Sequence, residues 1–171
     1  MKKLSILAII LIATCAVALA QPRAIGGRLG HSWGASYQHS FGEKNMLQAD
    51  LDLLGYWWGI QGTVTYDWLF PIHTWELCSM NWYAGVGAGA GYRYGWRGWS
   101  RWDQHHWGWN GYGFAGVAGM IGVECNFKFG LQLSVDWRPL IGPTFNKYGV
   151  GYFWEGLYAG AVGFGVRYKF K

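Results

Sequence analysis

The sequence predicts an all-β protein, an eight-stranded antiparallel transmembrane up-and-down barrel. The first reason is a period-two alternation that recurs along nearly the whole chain. In the last segment Tyr158, Gly160, Val162, Phe164, Val166, Tyr168 and Phe170 share one face, and Leu157, Ala159, Ala161, Gly163, Gly165, Arg167 and Lys169 share the other. A soluble sheet turns its large apolar face to a core. A wall whose second face is small, polar or charged is inverted, with apolar side chains toward lipid and the rest toward a lumen. The second reason is composition: 51% of residues are hydrophobic, 19% aromatic and only 13% charged, with 28 glycines and 13 tryptophans. A soluble domain has trouble burying so many indoles, whereas a lipid-facing wall with interfacial aromatic belts has room for them. The third reason is proline placement. Pro22 precedes the first segment, Pro71 follows the fourth, Pro139 ends the seventh and Pro143 lies in the loop beyond, so none interrupts a proposed strand.

Residues 1–20 read as a cleaved secretory signal peptide. Lys2 and Lys3 open it, residues 4–12 are apolar apart from Ser5, and Ala18-Leu19-Ala20 supplies a small-x-small cleavage box. The run is short for a spanning helix, which needs ~20 apolar residues. Thr14 before Cys15 argues against a lipoprotein signal. Residues 21–171 are then one domain, the barrel. The formal charge of +5 includes the two leader lysines, and the basic residues are scattered rather than striped, so nucleic acid is not an expected partner.

The strands follow from the alternation. Residues 25–30 set Ile25 and Leu29 against Arg28, and residues 34–39 set Ala35 and Tyr37 against Ser36 and Gln38. Residues 47–53 set four apolar side chains against Gln48, Asp50 and Asp52. Residues 60–70 set Ile60, Val64, Tyr66, Trp68 and Phe70 against Gln61, Thr63, Thr65 and Asp67. Residues 82–94 set Trp82, alanines, Val86, Tyr92 and Tyr94 against four glycines and Arg93. Residues 113–127 set Val117, Ile121, Val123 and Phe127 against Gly116, Met120, Gly122, Glu124 and Asn126. Residues 131–139 set Leu131, Leu133, Val135 and Trp137 against Gln132, Ser134, Asp136 and Arg138, and residues 157–170 complete the set. The first two segments could run together through Trp33, but closure needs an even count. A hairpin near residues 31–34 therefore gives eight. Outer loops are expected at 31–34, 56–59, 95–112 and 141–156, and periplasmic turns at 41–45, 71–80 and 128–130.

Three stretches carry a resemblance: Tyr37-Gln38-His39, the run Leu131-Gln132-Leu133-Ser134-Val135-Asp136-Trp137-Arg138-Pro139, and Gly165-Val166-Arg167-Tyr168-Lys169-Phe170. With them the chain resembles the small outer-membrane barrels of the OmpX/OmpA type, and more closely the outer-membrane β-barrel proteins common in Bacteroides-like bacteria. The last stretch is similar to the C-terminal signal read by the barrel-assembly machinery. It departs from that signal in Lys171, which follows the final aromatic, and in Gly163, where a polar residue often stands. The resemblance implies a bacterial outer-membrane location reached through the periplasm, the assembly machinery as a partner during biogenesis, and outer-membrane lipid or lipopolysaccharide as surroundings. It says little about activity, because one fold hosts many roles.

Function is sought in three places. Inward charges Arg28, Asp50, Asp52, Asp67, Arg93, Glu124, Asp136, Arg138 and Arg167 should share the lumen, and unpaired buried charge is costly, so an ion network is expected. Asp136 and Arg138 are the expected structural pair near its outer half. The outer loop between the fifth and sixth strands holds Trp96, Arg97, Trp99, Arg101, Trp102, His105, His106, Trp107 and Trp109. Indole faces stack on sugars and arginines pair with phosphates, so this loop is the expected binding site for lipopolysaccharide, an extracellular glycan or a protein; indoles anchored at headgroup depth are the plainer alternative. Cys78 and Cys125 map to the periplasmic ends of neighbouring strands, and either a disulfide or two free thiols fits an exported protein.

No catalytic set, metal or cofactor is expected. His105 and His106 have no evident third ligand. Ser100, Asp103 and His105 share one loop without fixed mutual geometry. Gly85, Gly87, Gly89 and Gly91 lie in a strand with no helix after it, unlike a nucleotide loop. The expected function is a non-enzymatic barrel that presents its outer loops for binding, adhesion or envelope integrity. A lipid-modifying enzyme and a narrow gated pore are the alternatives.

Overall fold

The computed structural model describes residues 23–30, 32–54, 59–96, 109–146, 149–155 and 161–170. The leader, residues 97–108 of the tryptophan-rich loop, residues 157–160 at the expected start of the last strand, and Lys171 lie outside the described residues. Ten strands run in chain order: β1 (Arg23–Gly30), β2 (Ser32–Phe41), β3 (Asn45–Leu54), β4 (Gly59–Thr74), β5 (Cys78–Trp96), β6 (Trp109–Phe127), β7 (Leu131–Trp137), β8 (Leu140–Asn146), β9 (Gly149–Glu155) and β10 (Val162–Phe170). β1 through β7 pair in sequence, β7 pairs with β10, and β10 pairs with β1, every pairing antiparallel. That circuit is a closed eight-stranded barrel, as the alternation predicts. No helix among the described residues is long and apolar enough to cross a membrane.

The period-two pattern determines which way each side chain points. Leu29 is 58% exposed and Val117 63%, whereas Gln48, Asp52 and Asp67 are fully buried. The core of this fold is therefore polar, and its outer surface is apolar. Short turns cluster at one end, where Arg23 of β1 pairs with Phe170 of β10. Gly42 (φ 68°) and Gly130 (φ 95°) make the turns there, adopting backbone angles that a side chain would resist.

Three elements differ from expectation. The stretch 141–156, expected as a loop, contains β8 and β9. β6 has 19 residues and β7 only 7, so the upper part of β6 would lose its partner where β7 ends. β8 takes over that edge, with Ala118 opposite Leu140 and Gly113 opposite Phe145, and β9 pairs in turn with β8. Gly142 and Pro143 concealed this strand. Pro143 has no N–H to give, and the β6–β8 ladder lapses opposite it. The expected turn at 71–80 is shorter, because β4 and β5 pair as far as Thr74 and Ser79. Pro71 therefore lies within β4, at a register shift between Pro71 and His73, one of the few places a ladder tolerates proline. Finally, β7 stops at Trp137, and Arg138 and Pro139 form a break before β8.

Candidate functional site

The lumen brings together side chains from all eight barrel strands and the β7–β8 break. Arg28 donates to Asp136 Oδ1 from Nε (2.9 Å) and from Nη2 (2.5 Å), and Tyr83 Oη donates to Asp136 Oδ2 (3.4 Å). Arg138 donates from Nη1 to Asp50 Oδ2 (2.5 Å) and from Nη2 to Asp52 Oδ2. Gln38 donates to Gln48 Oε1 and Gln48 to Asp50 Oδ2, each at 2.7 Å, so the ion pair continues into an amide chain. Arg167 donates to the hydroxyls of Ser36 and Ser134, both at 2.8 Å. Thr65 donates to Asp67 Oδ2 (2.9 Å). Glu124 accepts three amide bonds, from Asn81 (3.0 Å) and Asn126 (2.7 Å) on Oε1 and from Gln132 (2.6 Å) on Oε2.

The expected Asp136–Arg138 pair is replaced by two pairs across the barrel. Neighbours two apart on one strand stand side by side, but Arg138 sits at the break where the strand ends. Its guanidinium reaches over to β3. Asp136 is met instead by Arg28, which crosses β10 at Gly163, the residue opposite both Gly30 and Asp136. A Cβ on Gly163 would lie 2.6 Å from Arg28 Nε and nearer still to its Cζ and Nη2. The glycine that departs from the assembly signal is thus the gap through which the ion pair closes. Arg167 is held by serine hydroxyls, where a carboxylate partner was expected. Arg93 lies nearer the loop end, its guanidinium carbon 5.1 Å from the centre of the Phe114 ring.

Apolar side chains close the network at two levels. Leu54, Phe114, Ala118 and Leu140 pack together toward the loop end, with Tyr112 and Phe153 against them. Met46, Tyr83 and Met120 pack toward the turn end, with Leu69. Below them a cavity of about 250 Å³ opens at the turn end, lined by Arg23, Lys169, Glu43, Glu124, Gln132 and Asn81 among others. Tyr83 and Asn81 were missed in the sequence. Tyr83 is the one aromatic side chain on the β5 lumen face between Asn81 and Arg93, which otherwise holds four glycines, and the signal for it is Gly122 directly opposite, whose Cβ would lie 2.6 Å from the ring.

Of the loop residues, Arg97, Trp99, Arg101, Trp102, His105, His106 and Trp107 lie outside the described residues, and Trp96 pairs with Trp109 where β5 and β6 end. Cys78 and Cys125 are unbonded, on adjacent strands. No group of three His, Cys, Asp or Glu among the described residues is placed to hold a metal ion. No protein-family model matches the chain, and no curated protein or solved structure matches it either.

Proposed function

We propose that the chain is an integral outer-membrane barrel whose lumen is a structural plug and whose outer end is presented for binding, adhesion or envelope integrity. The observation that carries this reading is the banding of the outward face. At mid-height it is aliphatic and exposed, with Leu51, Val64, Val86, Ile121 and Val135. At the turn end it carries Phe41, Trp68, Phe70, Trp82, Tyr168 and Phe170, and at the loop end Trp33, Tyr92 and Tyr94. An aliphatic belt between two aromatic girdles matches hydrocarbon between two headgroup layers. A closed circuit leaves no strand edge unpaired in that layer. The packed ionic interior favours a plug over a pore. Among the described residues β9 pairs only with β8, and this extension and the longer loops at the loop end, which in this reading faces outward, support a binding role there.

The test is fractionation combined with gel migration. The protein is expected in the outer-membrane fraction, migrating differently before and after boiling in detergent. Identical migration together with a soluble fraction would overturn the reading. Turnover of labelled phospholipid or lipopolysaccharide by the purified barrel would replace the binding role with an enzymatic one.

A further inference from the structure

Cys78 and Cys125 stand on β5 and β6 with Cys78 opposite Phe127 and Met80 opposite Cys125, so the two are diagonal neighbours. Both have the parity of the lipid-facing residues, Trp82 and Val86 on β5 and Ile121 and Val123 on β6, so both thiols project from the same outward surface. Diagonal positions are ordinarily ~7–8 Å apart, with Cβ atoms closer, and the right-handed twist of a strand pair draws one diagonal together. Cys78 and Cys125 occupy such a diagonal. Both are half-buried rather than sealed. They sit beside the turns at 75–77 and 128–130, which are tied by Lys128 N–H donating to the Leu77 carbonyl at 3.2 Å. Leu77 and Lys128 are exposed there, so a redox protein can reach the pair from the water side.

We propose that Cys78 and Cys125 are a paired oxidation site that closes to an intramolecular disulfide across the turn end of the β5–β6 ribbon. The oxidant is a disulfide-bearing thiol oxidoreductase of the periplasm, so in the cell the inference rests on the outer-membrane reading. One cysteine thiolate attacks a sulfur of the oxidant's disulfide and displaces the other sulfur as thiolate. The second cysteine's thiolate attacks the resulting mixed disulfide at the first cysteine's sulfur. The protein disulfide forms, and the oxidant leaves as a dithiol whose two thiolates have taken up the two protons lost by the cysteines. The bridge removes two thiols from the headgroup border. It also ties together the bases of the two longest strands, which carry the tryptophan-rich loop at their far end.

The experiment alkylates the full-length protein in isolated membranes without reductant, then measures intact mass and maps non-reduced peptides. The expected result is a mass lower by two hydrogens than the reduced form, no alkyl adduct on either residue, and a peptide containing Cys78 joined to one containing Cys125. Alkylation of both cysteines in protein recovered from the outer membrane overturns the bridge and leaves the membrane reading standing. Joined peptides in a soluble protein support the bridge and overturn the location. A second arm is independent of the compartment. Barrel refolded in detergent is equilibrated with mixed reduced and oxidised glutathione, and the pair is expected to close within one chain, giving a monomer on a non-reducing gel. Persistent thiols or a disulfide-linked dimer overturn the proposal. Cys125→Ser should leave Cys78 open to alkylation and lower the temperature at which the folded gel band is lost.

Discussion

Arg28 and Asp136 show how much of this molecule depends on pairs that no local pattern announces. Both side chains are almost wholly buried, and removing one partner of such a pair strands the other charge. Asp136→Ala is therefore expected to cost about 3–5 kcal/mol of folding free energy. The double variant with Arg28→Ala should cost less than the sum of the two singles, measured by urea unfolding in lipid with tryptophan fluorescence. Gly163→Ala tests the gap through which Arg28 passes. Displacing the guanidinium should cost about 1–3 kcal/mol, whereas Gly62→Ala, with its nearest neighbour 3.9 Å away on the outward face, should be close to neutral. Equal effects at the two glycines would contradict the assignment of Gly163 as a crossing point. That Arg28 is inward was legible from its alternation against Ile25 and Leu29. Its partner was not, because the pairing depends on β10 lying between β1 and β7.

Strands were the most readable elements, since alternation and orientation are the same fact stated twice. Val64 and Thr63 are adjacent in β4, yet one is 48% exposed and the other 2%. Val64→Arg places a charge on the aliphatic belt and is expected to cost about 2–4 kcal/mol for folding into vesicles. The loss should shrink when folding is measured in detergent, where the guanidinium can reach water more easily. An unchanged folding yield in vesicles would contradict a lipid-facing Val64. The β8–β9 hairpin was illegible for a matching reason. Gly142 and Pro143 break its alternation, and the demand for a strand there comes from the unpaired edge of β6, a requirement set by another element's length. Pro71 misled in the opposite way, since a bulge lets β4 continue past it.

Closure brings these parts into one lumen. The Arg138–Asp50–Asp52 group, the Arg28–Asp136 pair and the Leu54–Phe114–Ala118–Leu140 cluster fill successive levels of the lumen. The intact protein is accordingly expected to give no discrete current steps in planar bilayers, and regular steps would favour the pore alternative. Period-two alternation, glycine-rich inner faces and the even strand count that closure requires were enough to specify an inverted eight-stranded barrel, because a strand's own residues say which of its sides faces outward. Only the three-dimensional arrangement decided which carboxylates Arg28 and Arg138 meet, that β8 extends the sheet beside β6, and that Cys78 and Cys125 are diagonal neighbours. Those outcomes depend on register and on distances between strands far apart in the chain, and a strand's own residues carry no record of them.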